Sequence, residues 1–295
     1  MHLRATVAAV SGALALSALA LPAAHAADGG PSYRAGVAEA LARHTPGRTA
    51  LTATAAPIGD LDASFSDFRI SKAIKVGTAT KASTVVTYKL THGADVDVTD
   101  PMFATGPLIY RGPAENPENI QGGDKPATCV ATSATTATCK GPIDINPRTT
   151  ERDLKLFNSQ AGTWHGAAIA LDFDSEKTAL QFGLGSTLVQ RNSQLTANAA
   201  PEPVRKGKTL TVTGTLSRAN WEDHKYHGYT GQSVKLQFRK KGSSTYTTLK
   251  TVRTNSTGGL KTTARATADG YYRFSFAGTT TTPAVSAAGD FVDVK

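Results

Sequence analysis

Apolar and polar residues alternate with a period of two through the last third of the chain. The runs Thr209 to Leu216, Val234 to Arg239, Tyr271 to Phe276 and Phe291 to Val294 each place apolar side chains at every second position. A strand sends successive side chains to opposite faces, whereas a helix returns to one face every three to four residues. The pattern therefore predicts half-buried strands with one dry and one wet face, and it argues against a helical bundle. Gly242, Gly258, Gly259, Gly270 and Gly278 stand between the runs, where turns demand unusual backbone angles. Two further runs, Thr245 to Val252 and Lys261 to Ala266, and an edge strand opening at Gln194 and limited by Pro201 and Pro203, bring the number of expected strands to seven.

The preceding region has the same character in shorter pieces. Phe68 to Ile70, Ile74 to Val76, Thr84 to Thr91, Leu108 to Tyr110, Ile143 to Ile145, Trp164 to Phe173 and Ala179 to Leu184 read as strands, with Pro101, Gly106 and Pro107 breaking the chain before Leu108. The interval from Gly112 to Thr128 is rich in Pro, Gly, Asn and Glu and is predicted to be a long surface loop. Trp164 is expected to anchor a core. At 295 residues the chain is long enough for two domains. The expected fold class is all-β, two tandem β-sandwich domains over residues 61–193 and 194–295.

The N-terminus carries an address. His2 and Arg4 open a short polar region, Val7 to Leu21 is apolar, and Ala24-His-Ala26 is the small-x-small pattern of a signal peptide, so residues 1–26 are expected to be removed on export. Residues 27–60 read as a flexible leader, with a cleaved pro-peptide as the alternative. A helix over Val37 to Arg43 has too few apolar flanks to dock firmly. The only two cysteines fit a secreted, extracellular protein: facing each other across a hairpin, Cys129 and Cys139 pair Val130 with Thr138, Ala131 with Ala137 and Thr132 with Thr136, leaving Ser133 to Thr135 as the connection. Outside the N-terminus no apolar run is long enough to span a membrane.

The order Thr211-Val-Thr-Gly-Thr-Leu216, Gly231-Gln-Ser-Val-Lys-Leu-Gln-Phe-Arg239, Gly270-Tyr-Tyr-Arg-Phe-Ser-Phe-Ala-Gly278 and a terminal Val-Asp-Val resembles the immunoglobulin-like modules of secreted actinobacterial (Streptomyces-type) proteins. The resemblance covers the last hundred residues or so and implies an immunoglobulin-like sandwich and an extracellular location. It transfers no functional residues. The region before it resembles extracellular sandwich domains more weakly.

Charge divides the chain. Residues 27–194 hold 16 Lys and Arg against 17 Asp and Glu, a net of −1, whereas residues 195–295 hold 15 against 6, a net of +9. The basic surface is expected to comprise Arg205, Lys206, Lys208, Lys235, Arg239, Lys240 and Lys241, with Arg265 and Arg273 on outward strand positions. Such a surface attracts polyanions, and for an exported protein these are anionic cell-wall polymers, lipid head groups or extracellular DNA. Nucleic acid is disfavoured because no recognition helix or stacking ladder accompanies the charge in the sequence. The bland reading is that strands need a polar wet face and that edge lysines discourage aggregation.

Three further constellations carry chemistry. Trp221, Glu222, Asp223, His224, His227 and Tyr229 form a candidate ligand loop, although a zinc site needs three or four fixed ligands and Trp221 and Tyr229 could simply pack the loop onto its sandwich. Asp95, Asp97 and Asp100, and Asp172, Asp174 and Glu176, place oxygens at alternating positions as calcium sites of sandwich loops do, but neither run matches an EF-hand. His92 and His165 are the only N-terminal-domain candidates for a hydrolytic triad, and no nucleophile-elbow, zincin or phosphate-loop motif is present. The sequence therefore predicts a secreted, non-catalytic binding or structural module with no cofactor, partnered by an anionic polymer or another secreted protein. A calcium-binding protein and a hydrolase centred on residues 61–194 are the alternatives.

Overall fold

A computed structural model describes residues 32–44 and 57–295. The signal-peptide reading of residues 1–26 and most of the leader reading fall outside the described residues. The regular structure of the described residues is almost entirely strand, with one α-helix and two short 3₁₀ turns.

In the first half a six-stranded sheet faces a four-stranded one. The larger sheet runs in the order Ile58–Gly59, Lys177–Arg191, Gly162–Asp172, Phe103–Arg111, Asn119–Gly122, and Ala73–Val76 joins the end of Lys177–Arg191 in parallel. The smaller sheet runs Ala63–Arg69, Ala82–His92, Thr136–Ile145, Thr128–Ser133. Tyr88, Leu90, Ile109, Ile143, Ile145 and Trp164 fill the space between them. Trp164 donates its indole N–H to the Gln160 carbonyl at 2.8 Å, which satisfies its one polar atom inside the core.

The outer face of the larger sheet is apolar too. The run Ala167 to Leu171 is buried on both sides, as expected for a strand covered above and below. Leu108, Tyr110, Ala167, Ile169, Leu171, Leu180 and Phe182 form a second core beneath the helix Tyr33–His44, which contributes Tyr33, Val37 and Ala40 along one side. This corrects the expectation that a helix here docks weakly. Two glycines supply the fit that side-chain counting misses. A side chain at Gly106 would overlap the Tyr33 hydroxyl, and one at Gly36 would collide with Phe173.

Three local expectations change. Asn119–Gly122, assigned to a long loop, is an edge strand whose buried amides hold the neighbouring turn: Asn119 donates to the Lys155 carbonyl at 3.0 Å and Gln121 to the Leu154 carbonyl at 3.0 Å. Gly106 and Pro107 lie inside Phe103–Arg111, and Pro107 sits just before the stretch that pairs with Asn119–Gly122. The Cys129–Cys139 bridge is present with Val130 and Ala131 in the expected register. The turn is tighter than expected, however. Ser133 rather than Thr132 faces Thr136, because the Thr132 hydroxyl turns back to the Thr136 carbonyl at 3.1 Å and makes a bulge.

The second half is a thinner sandwich. Its organising strand, Thr209–Asn220, pairs along 209–215 with Asn198–Ala200 and Gly259–Arg265, and along 216–220 with Ser193–Leu195 and Lys225–Gly228. The facing sheet runs Thr247–Arg253, Ser233–Lys240, Gly270–Phe276, with Val285–Ser286 and Asp290–Val292 on the far side. Leu210, Val212, Val234, Leu236, Tyr272 and Phe274 fill the core. After Asn198–Ala200 the expected proline-limited bend is present, with cis peptides before Pro201 and Pro203.

Candidate binding face

The joint between the halves claims much of the loop that the sequence offered as a ligand site. Residues 221–224 are the turn of a hairpin joining Thr209–Asn220 to Lys225–Gly228. Trp221 is fully buried, and it belongs to the core of the first half rather than to its own sandwich. Its indole N–H donates to the Val76 carbonyl at 3.2 Å. Glu222 accepts from the Asn158 side-chain amide at 2.5 Å, and His224 Nε2 lies 2.8 Å from the Pro147 carbonyl. Even-numbered Leu210, Val212 and Leu216 on Thr209–Asn220 face the second core, whereas Ala219 and Trp221 turn to the first. One strand thus serves two cores through opposite faces.

Other groups close the joint. Arg191 donates to the Ala219 carbonyl at 2.6 Å, and burial, with Arg218 nearby, pushes its guanidinium down to about 10. Tyr229 is held between Arg218, 3.9 Å from its ring centre, and Phe276. Only His227 and Asp223 remain as an exposed pair, 2.6 Å apart. The aromatic residues of this loop therefore serve packing, and Trp221 presents nothing to solvent.

The acidic runs lie in turns. Val96 and Val98 pack on the core and leave Asp95, Asp97 and Asp100 outside. Asp97 Oδ1 accepts the Thr99 hydroxyl at 2.7 Å and its N–H at 2.8 Å, which together hold the carboxyl below its usual range. Asp100 Oδ1 accepts the Met102 N–H at 2.7 Å. Asp172 is occupied likewise, first by the Ser175 hydroxyl at 2.6 Å, and is also held low. Asp174 and Glu176 follow it in the turn before Lys177. Phe103 pairs with Asp172, so the two runs are neighbours in space. Among the described residues, no three His, Cys, Asp or Glu side chains converge as metal ligands.

A cleft of about 870 Å³ lies beside the helix in the first half. Its lining includes apolar Val37, Leu41 and Ile120 and a set of ion-paired side chains. Arg34 bridges Asp124 and Glu151 at 3.0 Å each, and Lys81 bridges Asp124 at 2.7 Å and Asp144 at 3.6 Å. Burial alone would raise the Asp144 carboxyl, but the Asp124 N–H, the Ser83 hydroxyl and Lys81 outweigh it and hold it below the carboxylate range. A general acid needs the opposite shift. Neither His92 nor His165 lines this cleft. His92 Nδ1 sits 2.9 Å from the Gly93 carbonyl, and His165 stacks on Tyr110.

The basic residues, by contrast, gather. Lys206 N–H donates to the Lys295 carbonyl at 2.7 Å, Lys241 N–H to the Asp269 carbonyl at 2.9 Å, and Val294 N–H to Asp269 Oδ1 at 2.9 Å. These bonds bring residues 205–208, 240–241 and 294–295 to one pole of the second sandwich. The pole holds Arg205, Lys206, Lys208, Lys240, Lys241 and Lys295, with Asp269 and Asp293 as local counter-charges to Lys241 and Lys295.

From that pole a ladder climbs the wet face of the sheet. Arg239 pairs in register with Tyr271, Gln237 with Arg273, Lys235 with Ser275, and Tyr271 with Phe291. Alternation sends these side chains outward because Val234, Leu236, Tyr272 and Phe274 fill the core. The Arg239 guanidinium carbon lies 4.1 Å from the Tyr271 ring centre and 5.2 Å from that of Tyr246. Arg273 lies 3.7 Å over Tyr246, and Lys241 Nζ lies 5.5 Å over Phe291. Cations so placed are held by the ring quadrupole, by about 0.5–1 kcal/mol each at exposed sites.

One contact anchors each guanidinium further. Arg239 donates to the Ser243 carbonyl at 2.5 Å, and Arg273 Nε donates to Gln237 Oε1 at 2.9 Å. Among the described residues neither Arg239, Arg273 nor Lys235 has a carboxylate within 4.0 Å. The sequence offered Arg239, Lys241 and Lys235 but not Tyr246, Tyr271 or Phe291. Tyr271 and Phe291 at outward strand positions beside basic residues were the available signal.

No protein-family model and no curated protein matches the chain. Among solved structures it is similar to a marsupial T cell receptor, with a TM-score of 0.34 and 12% identity over 79% of this chain and 73% of that one. It is also similar to fibronectin(III)-like modules of Clostridium thermocellum CbhA, with a TM-score of 0.25 and 12% identity over 79% of this chain and 94% of the other.

Proposed function

We propose that the chain is an exported, non-catalytic binding protein whose first half is a scaffold and whose second half docks on an anionic extracellular polymer, of the kind found in a bacterial cell wall. The observation that carries this reading is the pair of stacked guanidiniums, Arg239 and Arg273, which lack carboxylate partners among the described residues and adjoin a basic pole. Surface cations that serve only solubility are mobile and interspersed with acids. Here Arg239 and Arg273 lie against aromatic rings with no acid beside them among the described residues. The net of +9 over residues 195–295 supplies the long-range attraction.

The test is retention of the mature protein on purified wall material across a salt series. The reading predicts retention at low salt, release as the Debye length shrinks, and loss of retention when Arg239, Lys240 and Lys241 are neutralised together. Equal retention of that variant and the native chain would overturn it.

A further inference from the structure

The geometry points to a more specific device on that face, and this inference rests on the reading just given. We infer that Arg239, Tyr246 and Arg273 form a preset receptor for two successive oxyanions of one linear polymer, with Tyr246 as the residue that positions both cations. The shared chemistry is a repeating carboxylate or phosphodiester.

Three observations lead there. First, Tyr246 touches both guanidiniums, at 3.7 Å from Arg273 and 5.2 Å from Arg239, so one ring aligns two cations. Second, the ring is closely packed at its far end: its hydroxyl lies so near Gly289 that a side chain there would collide with it. Third, each guanidinium lies against a ring, which leaves most of its N–H groups available to an anion. Only one N–H direction on each is engaged, by the Ser243 carbonyl and by Gln237. A guanidinium edge is the surface that takes a carboxylate or phosphate in paired hydrogen bonds.

Register sets the spacing. Arg239 faces Tyr271, and Arg273 lies two residues further along the same strand. Diagonal neighbours of this kind stand about 7–8 Å apart. A single small anion can satisfy one guanidinium at a time, whereas a polymer with closely spaced charges satisfies both and gains from the second contact as an intramolecular event. The rings contribute by fixing the arginines rather than by stacking on sugars, because Arg239 and Phe291 already flank Tyr271 and Arg273 covers Tyr246.

The experiment is calorimetric titration of the mature chain at low salt with poly-L-glutamate, a polycarboxylate, and with poly(glycerol phosphate), a polyphosphodiester. Glutarate and inorganic phosphate serve as the small-anion controls. At least one polymer is expected to bind about tenfold or more tighter per charge than its small counterpart, and the tighter of the two identifies the source chemistry. Tyr246→Leu should weaken polymer binding by about tenfold, the loss of roughly 1.4 kcal/mol of preorganisation, without changing the salt slope, because no charge is removed. Tyr246→Phe keeps the ring and should restore binding. Gly289→Ala, whose methyl would press on the Tyr246 hydroxyl and also crowd Tyr271 Cβ, should mimic Tyr246→Leu.

If the polymers bind and Tyr246→Leu and Gly289→Ala bind as the native chain does, the ladder is not the receptor, and the broader reading of the basic half survives alone. Equal affinity per charge for polymer and small anion would also overturn the two-point receptor. No binding of either polymer would overturn both readings.

Discussion

The two halves spend the same strand chemistry in opposite ways. In the first, the central strands are covered on both faces, by the smaller sheet on one side and by the helix Tyr33–His44 on the other, and charged side chains lining the cleft pair with one another. In the second, each sheet is dry on one face only, and the other face of Ser233–Lys240 and Gly270–Phe276 carries arginines with no acid beside them.

The largest test of that division acts at the joint. Trp221→Ala empties a fully buried site in the first core and should cost about 3–5 kcal/mol. Calorimetry should then show two separate transitions, the first half melting earlier. One undivided transition at the native temperature would show that the halves are not coupled through this residue.

Tyr33→Ala comes next. It removes the side chain seated over Gly106 and should cost about 3 kcal/mol, read as lost hydrogen-exchange protection in residues 33–44 with the second half unaffected. A third test uses acid. The Asp144 carboxyl is held below its unfolded value of about 4. Its contribution to stability is therefore complete above that pH and is lost as pH falls through the depressed folded value. Asp144→Asn should flatten the acid limb of a stability profile of the first half, and an unchanged limb would show that the Lys81 and Ser83 contacts do not matter energetically. The smallest effect belongs to the face: Arg273→Gln should cost no more than about 1 kcal/mol of stability, checked by denaturant unfolding, even though it should weaken polymer binding.

Strand positions were legible because alternation is local. Thr209 to Leu216 or Tyr271 to Phe276 announce a wet and a dry side from a few residues, and Cys129 with Cys139 marks its own hairpin register. What stayed hidden depends on distant partners. Tyr33 docks because of Gly106, seventy-three positions away in sequence, and a glycine announces only freedom, never what fills its space. Trp221 reads as a loop aromatic because nothing near it in sequence says that its partner is Val76. The ladder was half visible. Arg239 and Lys241 declare charge, but Tyr246 lies outside the regular strands and meets the arginines only through its ring.

The most direct measurement is the salt dependence of polymer affinity for the native chain and for Arg239→Gln/Arg273→Gln. Each counter-cation that a bound arginine displaces from the polyanion contributes about one to the slope of log affinity against log salt. The account predicts weaker binding and a slope smaller by about two in the double variant. An unchanged slope and affinity would show that the stacked arginines are only the wet side of a sandwich.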